Sequence, residues 1–188
     1  IIQGGMGICV SLSGLASAVA NEGGIGVISA VGIGMLEPDY RKKFRASNKI
    51  ALTKEIRKAR EQSDGIIGVN IMMAITDFDD LLEIALEENV DVIFIGAGLF
   101  LKKPEMPEGC TTKFVPKVST ARAAQVMFRY WANKYNRVPD AIVVEGPKCG
   151  GHVGFKKEEL LDDQKPLHEL IRETAAIIKP FEEQFNIE

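Results

Sequence analysis

Residues 66–98 read IIGVNIMMAITDFDDLLEIALEENVDVIFIGAG, and the change of period inside this stretch decides the fold class. It opens on Ile66-Ile67-Gly68-Val69-Asn70-Ile71-Met72, an apolar run without polar alternation. That is a strand buried on both faces. Asp77 is placed to cap a helix whose Phe78, Leu81, Leu82 and Ala85 share one side, and Val92-Ile93-Phe94-Ile95 is a second buried strand closed by Gly96-Ala97-Gly98. Strand, helix and strand in 33 residues is a βαβ unit, which lays its strands parallel.

Outward from this unit the same cycle recurs. Upstream, a strand-like run at Ile1 breaks at Gly4-Gly5-Met6-Gly7. A helix follows, capped by Ser11, with Leu12, Leu15, Ala16, Val19 and Ala20 at i, i+3, i+4, i+7, i+8 spacing. Gly23-Gly24 ends it, and Gly26-Val27-Ile28-Ser29 is the next strand. Residues 38–62 form a basic stretch of two helices broken near Ser47-Asn48. Downstream, residues 102–112 hold Pro104, Pro107 and Gly109 and read as a loop. Phe114–Val118 is a strand whose Pro116 suggests an edge or a bulge. Ser119 opens a helix with Ala123, Val126, Met127, Tyr130 and Trp131 on one stripe, and residues 141–144 give a sixth strand. A last helix carries Leu167, Leu170, Ile171, Thr174, Ala175 and Ile178 and stops before Pro180. The class is α/β. Strand starts near residues 1, 25, 66, 91, 113 and 141 lie about 28 residues apart, against about 31 per unit in an eight-stranded barrel. The 188 residues therefore hold about six units, which fits either an open doubly wound sheet or three quarters of a barrel.

Composition narrows the function. Lys and Arg total 23 against 26 Asp and Glu, a formal charge of −3, so no positive field exists to grip a phosphate backbone, and nucleic acid is not an expected partner. Apolar runs such as residues 90–101, interrupted by Asp91, fall short of the roughly 18–20 residues of a membrane span. Cys9, Cys110 and Cys149 are three, far apart and without a C-x-x-C pair, which argues against a disulfide framework or a zinc site. A reducing cytoplasm is the expected location, and no metal is expected.

In parallel α/β folds ligands collect at the C-terminal ends of the strands. Gly4-Gly5-Met6-Gly7, Asn70, Gly96-Ala97-Gly98 and Glu145-Gly146 with Gly150-Gly151-His152-Val153-Gly154 all fall there. Adjacent glycines at 4 and 5 make either a tight turn or a close approach to a planar ligand, with Met6 as a soft apolar wall. Asn70, an amide in an apolar strand, must bond either backbone or ligand. His152, flanked by glycine loops, titrates in the range that suits proton transfer near neutral pH. Cys149 lies three residues before it, but no third group is at hand to orient a thiol–imidazole pair, and the inert thiol is the simpler reading. His168 reads as a surface position, and Arg41, Lys42, Lys43 and Arg45 as a solvated helix face. No G-x-G-x-x-G and no Gly-Lys pair occurs, which disfavours a Rossmann dinucleotide site and excludes a Walker loop.

Five of these segments, in order, resemble one family. Ile1-Ile2-Gln3-Gly4-Gly5-Met6-Gly7, Gly68-Val69-Asn70-Ile71-Met72, Ile95-Gly96-Ala97-Gly98, Val115-Pro116 and residues 144–154 (VEGPKCGGHVG) are similar to the nitronate monooxygenase, or 2-nitropropane dioxygenase-like, family. Its near relative is the flavin-dependent enoyl-acyl-carrier-protein reductase II. The resemblance implies a TIM (β/α)8 barrel binding FMN. On it, residues 1–188 are a partial FMN-binding barrel domain holding the first six β/α units, with strands 7 and 8, whose glycine-rich tips carry the FMN phosphate, missing.

Carried over by position, Gly4, Gly5 and Met6 lie against the flavin ring, Asn70 hydrogen-bonds it, and Glu145, Gly150 and Gly151 line its site. His152 is the catalytic histidine. Cys9 stands where the family has glycine, and Lys117 where it has an aliphatic residue. The implied activity is oxidation of nitronates or nitroalkanes with O2. The alternatives are reduction of an enoyl thioester with NAD(P)H, or a chain that serves as a non-catalytic fragment. The expected partners are a small-molecule substrate and O2, with neither nucleic acid nor membrane, and a homodimer is left open.

Overall fold

The computed structural model describes residues 1–151, 154–155 and 165–186. The chain divides into two compact units, residues 1–95 with 105–114, and residues 96–104 with 115–188. Its elements in order are α1 (Ser13–Asn21), β1 (Ile25–Ser29), a 3-10 turn (Ile33–Leu36), α2 (Tyr40–Gln62), β2 (Ile66–Met72), α3 (Phe78–Glu87), β3 (Val92–Gly96), β4 (Lys113–Val118), α4 (Ala121–Tyr135), β5 (Val143–Val144) and α5 (Leu167–Phe185). Strand order in the sheet is the order of the chain, β1-β2-β3-β4-β5. Each strand follows its predecessor across a helix or loop, which is the topology of part of a (β/α)8 barrel.

The expected first strand is reduced to one parallel bridge, Ile2 with Ile25. Ile25 N donates to Ile1 O and Gln3 N to Ile25 O, but the next donor, Val27 N, goes to the Gln3 side chain instead of its backbone, so the ladder ends. From Ile25 onward β1 pairs β2 in parallel, placing Ser29 opposite Asn70. Ile67, Val69 and Ile71 of β2 are fully buried. Gly68 is bare because a Cβ there would stand 2.8 Å from Val92 Cγ1 of β3.

Helix α1 buries a face of small residues, Ser13, Ala16, Ser17 and Ala20, and leaves Leu15 partly exposed. That narrow face lets the helix press onto two glycines: a Cβ on Gly26 would collide with the Ala16 backbone, and one on Gly65 would meet Ala20 O at 2.5 Å. Ser11 does not cap α1; Leu12 is the N-cap and makes no side-chain bond. Asp77 does occupy the N-cap of α3, yet its carboxylate accepts from Asn48 Nδ2 (2.6 Å) rather than capping the helix. The break in α2 falls at Lys43, not at Ser47-Asn48. Ser47 and Asn48 are buried, and Asn48 Oδ1 accepts from Gly34 N (2.7 Å), so this polar pair anchors the 3-10 turn instead of interrupting the helix. Asp91, which breaks the apolar run before β3, accepts from Ile67 N (2.7 Å) and pairs with Arg60 (2.8 Å).

In the second unit β4 holds Pro116 and is nonetheless an internal strand in the sheet order. The ladder to β5 runs from Lys117–Val143 to Val118–Val144, starting one residue past the proline, so the missing donor removes no bond from it. The sixth expected strand, over 141–144, contracts to Val143–Val144. Helix α4 starts at Ala121, with Thr120 Oγ1 accepting from Ala123 N, and buries Ala124, Met127, Phe128 and Trp131; Val126 turns outward, one position off the expected stripe. Trp131 Nε1 donates to Phe100 O (2.8 Å). Helix α5 runs through Pro180 instead of ending there, and Phe181 stacks against Phe128 at 5.7 Å, beyond the proline.

Candidate functional site

In the first unit the chain after the Ile2 bridge is held in shape by two side chains. Gln3 Nε2 donates to Gly4 O (2.6 Å) and to Ser11 Oγ (2.8 Å). The Ser11 hydroxyl also accepts from Met6 N (2.9 Å) and donates to Gly4 O (3.3 Å), while Ser11 N donates to Met6 O. Ser11 is fully buried, so this hydroxyl is the internal staple of the Gly-Gly-Met loop. The sequence signal for it, a serine eight residues after Gln3, was readable only as a helix cap.

The staple lays the loop on the strand tips. A Cβ on Gly5 would stand 2.6 Å from Asn70 Cβ, so Gly5 is bare because the Asn70 side chain occupies that space. Gly7 is bare for a similar reason, since its Cβ would collide with Val31. The same position lies 3.5 Å from Ser29 Oγ. Asn70 is 7% exposed and Ser29 1%, and the register puts both on one face at the ends of adjacent strands. Ser29 Oγ is buried without a hydrogen-bond partner among the described residues, an arrangement that normally has a reason. Met6 presents an exposed thioether beside them. Gly4, Gly5, Met6 and Asn70 are therefore together, joined by Ser29, which the sequence analysis passed over as the end of a strand.

Cys9 sits in this loop at φ +57°, in the left-handed region that favours glycine. Its thiol points at Gly32 O and Ile33 O (3.8 and 3.9 Å), and burial, then the nearby Glu55, push its pKa up. A protonated thiol in such a setting is inert.

In the second unit the ends of β4 and β5 carry Lys117, Ser119 and Glu145. Glu145 N donates to Val118 O (2.8 Å), and Ser119 Oγ lies 3.5 Å from Glu145 Oε2. The chain returns at Gly154, where a Cβ would collide with Ser119 Oγ. Between them Cys149 N closes a turn on Gly146 O. Burial, then Glu145, push the Cys149 thiol up, which removes the activated thiolate that a thiol–imidazole pair needs. Gly151 has φ +81°, which explains its glycine; Gly150 and Gly4 have neither a left-handed backbone nor an atom within 4 Å of a Cβ. His152 lies outside the described residues. His168 is exposed on the first turn of α5. Among the described residues no group of His, Cys, Asp and Glu could hold a metal ion, and no helix is long and apolar enough to cross a membrane.

Comparison with known proteins adds to this geometry. A family model described as nitronate monooxygenase matches residues 1–178. Among curated proteins, the chain is 26% identical over 154 residues to the (3aS,4S,5R,7aS)-5-hydroxy-7a-methyl-1-oxo-octahydro-1H-indene-4-carboxyl-CoA dehydrogenase of Mycobacterium tuberculosis, a match covering 82% of this chain and 37% of that protein. Among solved structures it is similar to FabK from Thermotoga maritima, with a TM-score of 0.67 and 28% identity over 94% of this chain and 47% of that one. The nitroalkane oxidase of Streptomyces ansochromogenes shares the fold, at a TM-score of 0.70 and 19% identity over 94% of this chain and 55% of that one. The chain thus spans about half the length of these structures, or less than half of the curated relative.

Proposed function

The chain belongs to the nitronate monooxygenase family, a family of flavin-dependent oxidoreductases, and on that premise we propose that it serves an FMN-dependent enzyme oxidising nitronates or nitroalkanes with O2. The observation that carries the reading is the cradle at the ends of β1 and β2. There the glycine backbone at 5 lies directly on Asn70, beside the Ser29 hydroxyl, which is buried with no hydrogen-bond partner among the described residues. A flat heterocycle edged with both donors and acceptors suits that donor set, and FMN has such an edge. Gly4 fits the same reading, because among the described residues nothing lies within 4 Å of where its side chain would start.

FMN would supply redox chemistry here, between the substrate carbon and oxygen. Gly4, Gly5 and Met6 would offer backbone and an apolar wall to its ring, and Asn70 and Ser29 would hydrogen-bond its edge. Glu145, Gly150 and Gly151 are assigned to the flavin through the sequence resemblance alone. His152, assigned through the sequence resemblance, holds or accepts the substrate proton at an imidazole nitrogen. Gln3 and Ser11 act through the loop, keeping Gly4–Met6 in one shape so that binding costs no ordering of the backbone.

A second reading has a specific observation behind it. The curated relative is named as a carboxyl-CoA dehydrogenase, and the match to FabK is closer in sequence than that to the nitroalkane oxidase. Both favour a thioester substrate, and hence an enoyl-thioester reductase using NAD(P)H. Anaerobic mixing of the FMN-loaded protein with propionate 3-nitronate is expected to bleach the flavin absorbance. No change with nitronate, but rapid reduction by NAD(P)H followed by turnover of an enoyl thioester, moves the assignment to the reductase. His152→Ala is expected to lower turnover by about two orders of magnitude or more with flavin content kept. Unchanged turnover removes the histidine from the mechanism.

A further inference from the structure

The basic run at the start of α2 belongs to no site described so far. Along the chain it reads as a solvated helix face, but the fold gives it apolar company. Residues 41–46 are all exposed, in unbroken succession, although a helix that packs along its length buries a residue every turn. The helical backbone is interrupted at Lys43, inside this stretch, and burial begins only at Ser47 and Asn48. The first turns of α2 therefore stand out from the body of the first unit.

Beside them lies the 3-10 turn Ile33–Leu36. A Cβ on Gly34 would be 2.5 Å from the Ser47 carbonyl carbon, and Glu37 reaches Lys54 at 3.7 Å, so this segment runs alongside α2 from residue 47 to residue 54. Met35 and Leu36 are exposed on it, Leu36 by 80%, and Ile50 of α2, between those two contacts, is exposed as well. Phe44, one helical turn before Ser47 and Asn48, is also exposed. Four large apolar side chains thus meet water around one packing contact. Arg45 pairs with Asp80 (3.1 Å) and Lys54 with Glu37, which leaves Arg41, Lys42 and Lys43 without an acidic partner among the described residues. Asp39, just before the helix, offsets one of these charges. The surplus is positive on a chain whose net charge is −3, so an anionic surface is attracted to this face rather than to the molecule at large.

A second copy presenting the same face would set like charges against each other. Apolar side chains that project from a tight turn and a protruding helix end, rimmed by unpaired cations, are instead the parts of an interfacial anchor: the cations meet anionic headgroups and the side chains enter the acyl boundary beneath them. We propose that Met35, Leu36, Phe44 and Ile50, with Arg41, Lys42 and Lys43, form a peripheral docking surface for an anionic lipid bilayer. Leu36, the most exposed of the four, enters first. Each cation near the surface strengthens binding about fivefold, and burial of one leucine side chain about tenfold, so neither group suffices alone. Such a contact needs no spanning helix, and among the described residues there is none. It departs from the expectation, drawn from the apolar runs alone, that a membrane is not a partner.

Flotation of the 188-residue chain with large unilamellar vesicles tests this, because aggregated protein does not float. Vesicles of phosphatidylcholine with about 30% phosphatidylglycerol are expected to carry the protein upward, and vesicles of phosphatidylcholine alone to leave it behind. Raising salt from about 0.1 to about 1 M, which shortens the Debye length from about 10 to about 3 Å, should lower the affinity at least about fivefold. Lys42→Gln combined with Lys43→Gln should weaken binding about twenty-fivefold. Leu36→Gln should weaken it about tenfold. Both variants should melt with the unaltered protein, since these side chains are exposed. No flotation with the anionic vesicles overturns the proposal, as does equal flotation with the neutral ones. Binding that is lost in the lysine double variant but unchanged in Leu36→Gln also overturns it, by leaving a purely electrostatic face of the kind that an acidic protein meets.

Discussion

Gly5 has an ordinary backbone, and its missing side chain is explained only by what stands opposite: Asn70, 2.6 Å from where a Cβ would be. Gly5→Ala is therefore expected to lift the loop from the strand tips, at about 1–3 kcal/mol of stability, the usual cost of overpacking. Bound FMN should weaken in parallel. Chemical denaturation together with flavin titration checks both, and unchanged flavin affinity would detach the loop from the cofactor. Lys117 yields a prediction about pH. Its folded pKa lies below its unfolded value of 10.5, so burial opposes folding while the amine is charged. That cost is fully present below the folded pKa and fades as pH rises toward 10.5. Lys117→Met is expected to melt higher than the unaltered protein at pH 7, with the gap narrowing on the alkaline side; a gap constant with pH contradicts it. The sequence offered Gly5 as either a tight turn or a close approach to a planar ligand and marked Lys117 only as a departure from the family; the side chains that stand against each became legible only in the fold.

At the scale of elements, what could be read was the apolar period, and what could not was the tertiary partner of each polar residue. The β2–α3–β3 unit follows from its hydrophobic runs because burial on both faces admits few polar residues. Ser11, Asn48 and Asp77 carry the local marks of caps and breaks, yet all three bond across the fold: Ser11 to the Gly-Gly-Met loop, Asn48 to Gly34 and Asp77. Pro180 is likewise carried inside α5, with Phe181 packed on Phe128 just past it. Asn48 is the most exposed to test. Asn48→Ala leaves Gly34 N and the buried Asp77 carboxylate without this partner, for an expected loss of about 2–4 kcal/mol. Urea unfolding measures this, and an unchanged midpoint would mean that Gly34 and Asp77 find other partners.

At the scale of the whole molecule, the sheet is defined by its ends as much as by its middle. The strands follow chain order, and among the described residues β1 begins the row with only the Ile2 bridge on its outer side. Ile1 is fully exposed and Ile2 half-exposed, so an apolar pair flanks that strand. At the other end β5 contributes only two residues to the ladder. Unpaired donors and acceptors beside apolar side chains are the usual template for strand pairing between chains. Strand spacing fitted an open doubly wound sheet as well as part of a barrel, and the family resemblance chose the barrel; the state of the edges could not be read at all, because it depends on the Gln3 side chain taking the Val27 N–H from the backbone. The 188-residue chain is expected to associate as its concentration rises, and Ile2→Lys should suppress this by placing a charge on the edge. Sedimentation velocity over a hundredfold concentration range reads it directly. A monodisperse monomer throughout would mean the β1 edge is shielded, while association that persists unchanged in Ile2→Lys would move the contact to another surface.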